Sequence, residues 1–178
     1  MNALANADVG NYMNDRFISS FQKVGTFRIV NGEKQGGNVA SYFCLSDGSV
    51  LHAIAGPVNA ATLLREARWV IENRKMAVSA SKGDIEKYRA FFRKAHLERL
   101  RQEYRGRAKP GPLPGDTDIA AATTETLAKM PLGKCRPLQA QVHTLLAAYP
   151  LVKLEQVYPV VFERILGEKV STLPVLEN

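Results

Sequence analysis

Two apolar runs separated by a short polar turn dominate the middle of the chain. Residues 39–45 and 50–55 are rich in apolar side chains, and the pair Asp47-Gly48 lies between them. An Asp-Gly pair in this setting is a strong hairpin signal, because a type I′ turn needs positive φ at both central positions. We therefore predict an antiparallel hairpin with Asp47-Gly48 as its two-residue loop.

A two-residue loop also predicts which residues share a face of the sheet, because directly opposed residues point the same way. One face is expected to carry Phe43, Leu45, Val50, His52 and Ile54. The other is expected to carry Ala40, Tyr42, Cys44, Leu51, Ala53 and Ala55. Both sets are largely apolar, so we expect layers of other elements to cover the sheet on both sides.

Helical periodicity follows the hairpin. Apolar residues recur every three or four positions after the candidate N-cap Asn59, which predicts a helix over residues 60–76 packed on the sheet. A second helix is predicted over residues 84–106, and its apolar stripe changes sides near residue 96. Such a helix is expected to bridge two surfaces or to bend. Before the hairpin, residues 8–16 resemble the last turns of a helix and residues 17–30 an extended segment.

Proline and glycine divide the rest of the chain. The run from Lys109 to Gly115 predicts an extended linker. Beyond it, we expect one helix capped within 116–118 and ending near Lys129, one with Pro137 at its first position, and a last one opened by Pro159. The predicted organisation is therefore an α/β core over 1–78, a basic helix over 79–109, a linker over 110–116 and a helical extension over 117–178.

The positive charge of the chain is local. The formal net charge is +7, and residues 82–109 contain ten Lys or Arg but only four Asp or Glu. On a helical wheel four of the cations form a ridge that could bind a polyanion such as a nucleic acid, although a solvated face explains them as well: Lys87, Lys94, Arg101 and Arg105. The apolar stripe is broken and no apolar run is long enough to span a bilayer, so we expect no membrane partner.

Cysteine and histidine usage indicates no catalytic, cofactor or metal site. Cys44 lies among apolar strand residues and is expected to be a small buried side chain, whereas Cys135 lies between two cations that could make its thiol reactive. His52 is expected to be a hydrogen-bonded core histidine. Because His96 and His143 are far from it in sequence and no ligand spacing is present, nothing in the sequence places the three together.

The order of elements resembles part of the thioredoxin-like fold superfamily. The stretch Asp8-Val9, Tyr12-Met13-Asn14 and Phe17 is similar to the segment that leaves the first helix of such proteins, and residues 39–52 are similar to their antiparallel pair. The resemblance covers residues 6–76 and implies a partial sheet. Redox activity in that superfamily requires a CxxC motif, which this chain lacks together with the first strand and the usual proline near Gly36-Gly37-Asn38.

The sequence thus predicts an α/β (α+β) fold: a thioredoxin-like partial sheet with an antiparallel hairpin, followed by a helical C-terminal extension. The expected function is that of a redox-inactive binding or assembly module that associates with itself or with a protein partner, since an edge left by the missing strand needs covering. The alternatives are a truncated or divergent thiol-disulfide oxidoreductase, with its missing part upstream of Met1, and polyanion binding by the basic helix. Residues 1–10 show no secretory signal, so a cytoplasmic location is the default expectation.

Overall fold

The computed structural model describes residues 3–22, 28–31, 33–35, 37–104, 119, 121–133 and 137–170. Within them the chain has the predicted α+β fold. The helices are α1 (Ala7–Arg16), α2 (Ala60–Ser81), α3 (Ile85–Glu103), α4 (Thr124–Lys129), α5 (Leu138–Ala148) and α6 (Leu154–Val160). The strands are β1 (Arg28–Val30), β2 (Glu33–Gln35), β3 (Ala40–Cys44) and β4 (Val50–Ala55), paired β1 with β2 and β3 with β4.

Strands β3 and β4 form the predicted antiparallel hairpin, but the turn between them is of another type. Gly48 has a positive φ of 81°, whereas Asp47 does not share it. The Gly48 amide donates to the Leu45 carbonyl at 3.0 Å, and the Leu45 amide donates to the Ser49 carbonyl at 2.9 Å. The type I′ prediction is therefore wrong, because a four-residue turn ending in a left-handed glycine makes the connection instead.

A β-bulge in β4 also changes the predicted faces. Phe43 faces His52 as expected, but Cys44 faces Val50, which leaves Leu51 as an extra residue without a partner on β3. Because side chains alternate between faces, one extra residue exchanges the sides of its neighbours. Val50 packs with the C-terminal helices, and Leu51 packs with Phe43 on the opposite face. The predicted faces of Val50 and Leu51 are thus both wrong.

Side-chain caps start the first three helices. The Asn59 side chain accepts from the Thr62 amide at 2.8 Å at the start of α2, as predicted, and Asp84 caps α3 in the same way. Helix α2 continues to Ser81, five residues beyond the predicted end. Helix α1 begins at its own N-cap Asn6, so the prediction that residues 8–16 end a longer helix is wrong.

Two prolines behave differently from their predicted roles. Pro137 is the residue before α5 rather than its first residue, and Pro159 lies inside α6 instead of opening a helix. Helix α6 runs directly into a π-helical turn, Val161–Ile165, in which the Leu166 amide donates to the Val161 carbonyl at 2.9 Å. A π turn often follows a disturbance of the regular helical ladder, and a proline causes one by removing an amide donor.

Apolar layers cover the hairpin on both faces, as predicted. Helices α1, α2 and α3 cover one face, where the buried side chains include Phe43, Leu51, Ile54, Leu63, Val70 and Phe92. The C-terminal helices cover the other face, where the buried side chains include Val50, Ala53, Leu127, Val142, Leu146 and Val161. Helix α3 packs against both α2 and α5, which agrees with its predicted role as a bridge between two surfaces.

Helix α5 is the element that joins the C-terminal helices to the hairpin. Residues 140–148 are all buried, as expected for a helix surrounded by protein. Just before them, the Gln139 side-chain amide donates to the Ala53 carbonyl at 2.7 Å, and its oxygen accepts from the Ala55 amide at 3.4 Å. At the start of the same strand the Val50 amide donates to the Val152 carbonyl at 2.9 Å. The outer edge of β4 is therefore satisfied by the C-terminal part of the chain.

Candidate metal centre

Three histidines converge where β4, α3 and α5 meet. His52, His96 and His143 have exposed fractions of 0%, 1% and 0%, and one donor atom from each lies within 4.8 Å of the others. The bulged strand supplies His52, the long bridging helix supplies His96, and the buried helix supplies His143. No sequence pattern placed the three histidines together, because tertiary packing is what closes separations of 44 and 47 residues in sequence.

The hydrogen-bond partner of His52 determines which of its two ring nitrogens carries the proton. Its Nε2 atom lies 3.0 Å from Glu66 Oε2, and an ionised carboxylate can only accept hydrogen bonds. Nε2 must therefore carry the proton and donate it to Glu66. In the neutral ring this leaves Nδ1 with a lone pair, and Nδ1 is buried without a hydrogen-bond partner among the described residues.

The same reasoning determines which nitrogen carries the proton in each of the other two rings. His96 Nε2 lies 3.0 Å from the carbonyl oxygen of Leu51, the bulged residue, so Nε2 is a donor and Nδ1 an acceptor. His143 Nδ1 lies 2.8 Å from His96 Nδ1, and it must supply the proton that the two nitrogens share. His143 Nε2 then has a lone pair, and within the described part of the chain no group donates to it.

Burial keeps all three imidazoles neutral near pH 7. It lowers the pKa of His96 to about 3, with the other charges of the cluster adding to the effect. It likewise lowers the pKa of His52 and of His143 below the ordinary value of 6.5, in the case of His52 against the opposing attraction of Glu66. Neutral imidazole is the form of histidine that binds metal ions.

A buried ion pair supports the cluster from the α2 side. Arg99 Nη2 donates to Glu66 Oε1 at 2.8 Å, and Arg99 Nη1 lies 2.7 Å from Glu66 Oε2 but outside hydrogen-bond geometry. Burial raises the pKa of Glu66, yet the contacts from His52 and Arg99 outweigh it and hold this pKa at about 2. Arg99 also donates to Glu103 at 2.6 Å, so its charge is shared between two carboxylates.

Aromatic rings bound the rest of the cluster. The Trp69 ring centroid lies 5.0 Å from that of His52, 5.3 Å from that of His96 and 6.1 Å from that of His143. Arg99 lies over Trp69, 5.0 Å from its centroid. Both residues also line a groove of about 950 Å³ between α2 and α3, so they separate this groove from the histidines.

Those residues predicted as polyanion or thiol sites that the structure describes lie outside the three-histidine cluster. Lys87, Lys94 and Arg101 are exposed on α3, and Lys87 pairs with Asp84 at 3.2 Å. Arg105, Cys135, the linker over 110–116 and the predicted caps at 116–118 lie outside the described residues. Polyanion binding by this ridge therefore stays a prediction. Cys44 is partly buried, and burial raises the pKa of its thiol to about 11, which keeps it protonated.

Comparison with known proteins adds no assignment to this geometry. No helix in the described part of the chain combines the length and the apolar character needed to cross a bilayer. No protein-family model matches the chain, and neither a curated protein nor a solved structure matches it.

Proposed function

We propose that this protein binds one transition-metal ion through His52, His96 and His143. The observation that carries the proposal is a set of three neutral, fully buried imidazoles whose donor atoms lie within 4.8 Å of one another. Imidazole is a preferred ligand of zinc, copper, nickel and iron. Burying a ring nitrogen without a hydrogen-bond partner costs free energy, and His52 Nδ1 is such a nitrogen, whose lone pair a bound metal ion would use.

The hydrogen bonds away from the centre support this assignment. Histidines that bind metal ions nearly always donate their other N–H to a carboxylate or a backbone carbonyl, which orients the ring. His52 does so to Glu66, and His96 does so to Leu51. Coordination through the three Nδ1 atoms preserves both contacts, and it requires the proton of His143 to move to Nε2, which has no hydrogen-bond partner among the described residues.

Binding a metal ion would require small movements of the three histidine side chains. With metal–nitrogen distances of 2.0–2.1 Å, tetrahedral ligand nitrogens lie about 3.3 Å apart. The Nδ1 atoms of His96 and His143, now 2.8 Å apart, would separate slightly, and the donor atoms of the cluster, one from each ring and all within 4.8 Å of one another, would approach the ion. Each side chain therefore moves by about 1 Å or less from its present position.

Metal content tests the proposal. The full chain, freed of metal and then dialysed against equimolar Zn²⁺, Co²⁺, Ni²⁺ and copper, should retain about one ion per chain by mass spectrometry. His143→Gln should reduce retention at least tenfold, because it removes one ligand while keeping an N–H donor for His96. Gln102→Ala, on the exposed side of α3, should retain the wild-type amount. Equal metal content in the wild type and His143→Gln would contradict the proposal.

Self-association remains a second proposal, and the free edge of β3 supports it. Among the described residues β3 pairs only with β4. The Gly56 amide donates to the Val39 carbonyl, so by alternation Ala40 and Tyr42 direct their backbone groups away from β4. A second copy of the chain could pair with this edge in antiparallel fashion across a twofold axis.

Sedimentation velocity over a hundredfold concentration range tests this second proposal. Ala40→Pro should shift a wild-type dimer to monomer, since proline at the first residue of an edge strand removes only an outward amide. Val78→Ala, which changes an exposed side chain of α2, should leave the dimer intact. A wild-type chain that stays monomeric throughout the range would exclude the edge pairing.

A thioredoxin-like relationship for residues 6–76 also remains a proposal. Its support is the succession of α1, the β3–β4 hairpin and α2, which follows the order of the expected elements. The thiol-disulfide oxidoreductase alternative gains nothing from Cys44, because a protonated, half-buried thiol is a poor nucleophile.

A further inference from the structure

The charges around the three histidines identify the kind of ion that this centre would hold. A metal ion binds histidine as the neutral imidazole, and the charged side chains in the hydrogen-bond network around the three rings are Glu66, Arg99 and Glu103. Arg65 adds a second cation through its contacts of 3.0 and 3.1 Å to Glu66 Oε1. Two carboxylates and two guanidinium groups cancel, so no anionic charge is left over to neutralise a metal ion.

The free-energy cost of burying a metal ion without a neutralising charge rises steeply with the charge of the ion. The electrostatic cost of moving an ion from water into protein grows with the square of the charge, so a divalent ion costs about four times as much as a monovalent one of the same size. A site with exposed fractions of 1% or less for all three ligands therefore discriminates strongly against Zn²⁺ unless an anion accompanies it.

Coordination number also favours a monovalent ion over Zn²⁺. Zn²⁺ almost always takes four ligands in structural sites. Cu⁺, a monovalent d¹⁰ ion, also accepts two or three ligands. The nearest carboxylate, Glu66, contacts Nε2 of His52 on the side away from Nδ1 and is already occupied by Arg99. The Trp69 ring lies beside all three imidazoles, and an aromatic face attracts a cation without completing a fourth bond.

We infer that the tris-histidine centre is a monovalent copper site, selective for Cu⁺ over Zn²⁺. This inference rests on the proposed function and sharpens it. His52, His96 and His143 provide a three-coordinate nitrogen set, Glu66 and Leu51 orient two of the rings, and Trp69 lies beside all three. The selectivity comes from the Glu66–Arg99 pair, which leaves the pocket electrically neutral.

Competition titrations on the metal-free full chain test the inference. Cu⁺ is supplied without oxygen as its bicinchoninate complex, and Zn²⁺ is supplied against a chromophoric zinc chelator. The protein should take one Cu⁺ with a dissociation constant at least about 100-fold below that for Zn²⁺. Trp69 is the single tryptophan of the chain and should lose fluorescence on Cu⁺ binding. His143→Gln, checked for folding by circular dichroism, should show no stoichiometric quenching.

The Arg99→Gln variant tests the role of charge directly. With Arg99 gone, the Glu66 carboxylate can compensate a divalent ion, so the preference for Cu⁺ over Zn²⁺ should fall at least about tenfold. If this variant does not fold, the wild-type preference still decides the inference.

The outcomes separate the inference from the function on which it rests. Histidine-dependent binding of Zn²⁺ as tight as that of Cu⁺ overturns the preference for the monovalent ion but supports a metal centre. An unchanged preference in folded Arg99→Gln overturns the charge argument. Absence of histidine-dependent binding of either ion overturns both the inference and the proposed metal-binding function.

Discussion

The metal-free protein is expected to lose up to about 4 kcal/mol of its free energy of unfolding for each pH unit below about pH 6, the limit for three histidines that stay neutral in the folded chain. Burial lowers the pKa of His52, His96 and His143 in the folded chain, that of His96 to about 3, while the unfolded value is 6.5. Between these values the unfolded chain binds more protons, so stability is complete above about pH 6.5 and falls as the pH drops. With a typical total stability, acid unfolding should be half complete between about pH 4 and pH 5.

Urea unfolding at pH 8, 7, 6 and 5, followed by Trp69 fluorescence and circular dichroism, measures this slope. His143→Gln is the matched control, because two titrating histidines instead of three should reduce the slope to about 2.7 kcal/mol per pH unit. A free energy of unfolding that stays constant from pH 7 to pH 5 would show that the histidines are not neutral in the folded protein.

Removing one member of the Glu66–Arg99 pair should destabilise the protein by about 3–5 kcal/mol, because the remaining charge is buried without compensation. Glu66→Leu leaves Arg99, with an exposed side-chain fraction of 6%, facing only Glu103, and it also removes the acceptor of His52 Nε2. Arg99→Met leaves Glu66 with His52 and the exposed Arg65.

The double variant Glu66→Leu/Arg99→Met should cost clearly less than the sum of the single changes, because an apolar pair needs no compensation. Urea denaturation at pH 7.5 of the wild type, both single variants and the double variant completes the cycle. Additive costs would mean that the two side chains act independently, in conflict with their contacts of 2.7 and 2.8 Å.

Local signals in the sequence predicted most elements of the fold. The Asp47-Gly48 pair located the hairpin, Asn59 located the start of α2, and apolar patterning on both strand faces predicted the two covering layers. The bulge at Leu51 could not be predicted from these signals. The register depends on how the turn closes, and because both strand faces are apolar, a shift of one residue places apolar side chains on both faces as well.

The candidate centre was less accessible to sequence reasoning. Its ligands come from a strand and two helices, and only packing of α5 against α3 and β4 brings them together. One sequence feature lies at the centre, because His96 is at the point where the apolar stripe of the second helix changes sides. Glu66 falls on the polar side of the predicted helix, so its burial beside His52 could not be predicted from the pattern.

The bulge at Leu51 has a consequence for transplanting this centre into another protein. The Leu51 carbonyl lies at this bulge, and it decides which nitrogen of His96 carries the proton. A graft that copies only the three histidines onto an ideal scaffold would therefore lose control of one ligand's tautomer. The minimal transferable unit is the three rings, Glu66 and one irregular residue of backbone.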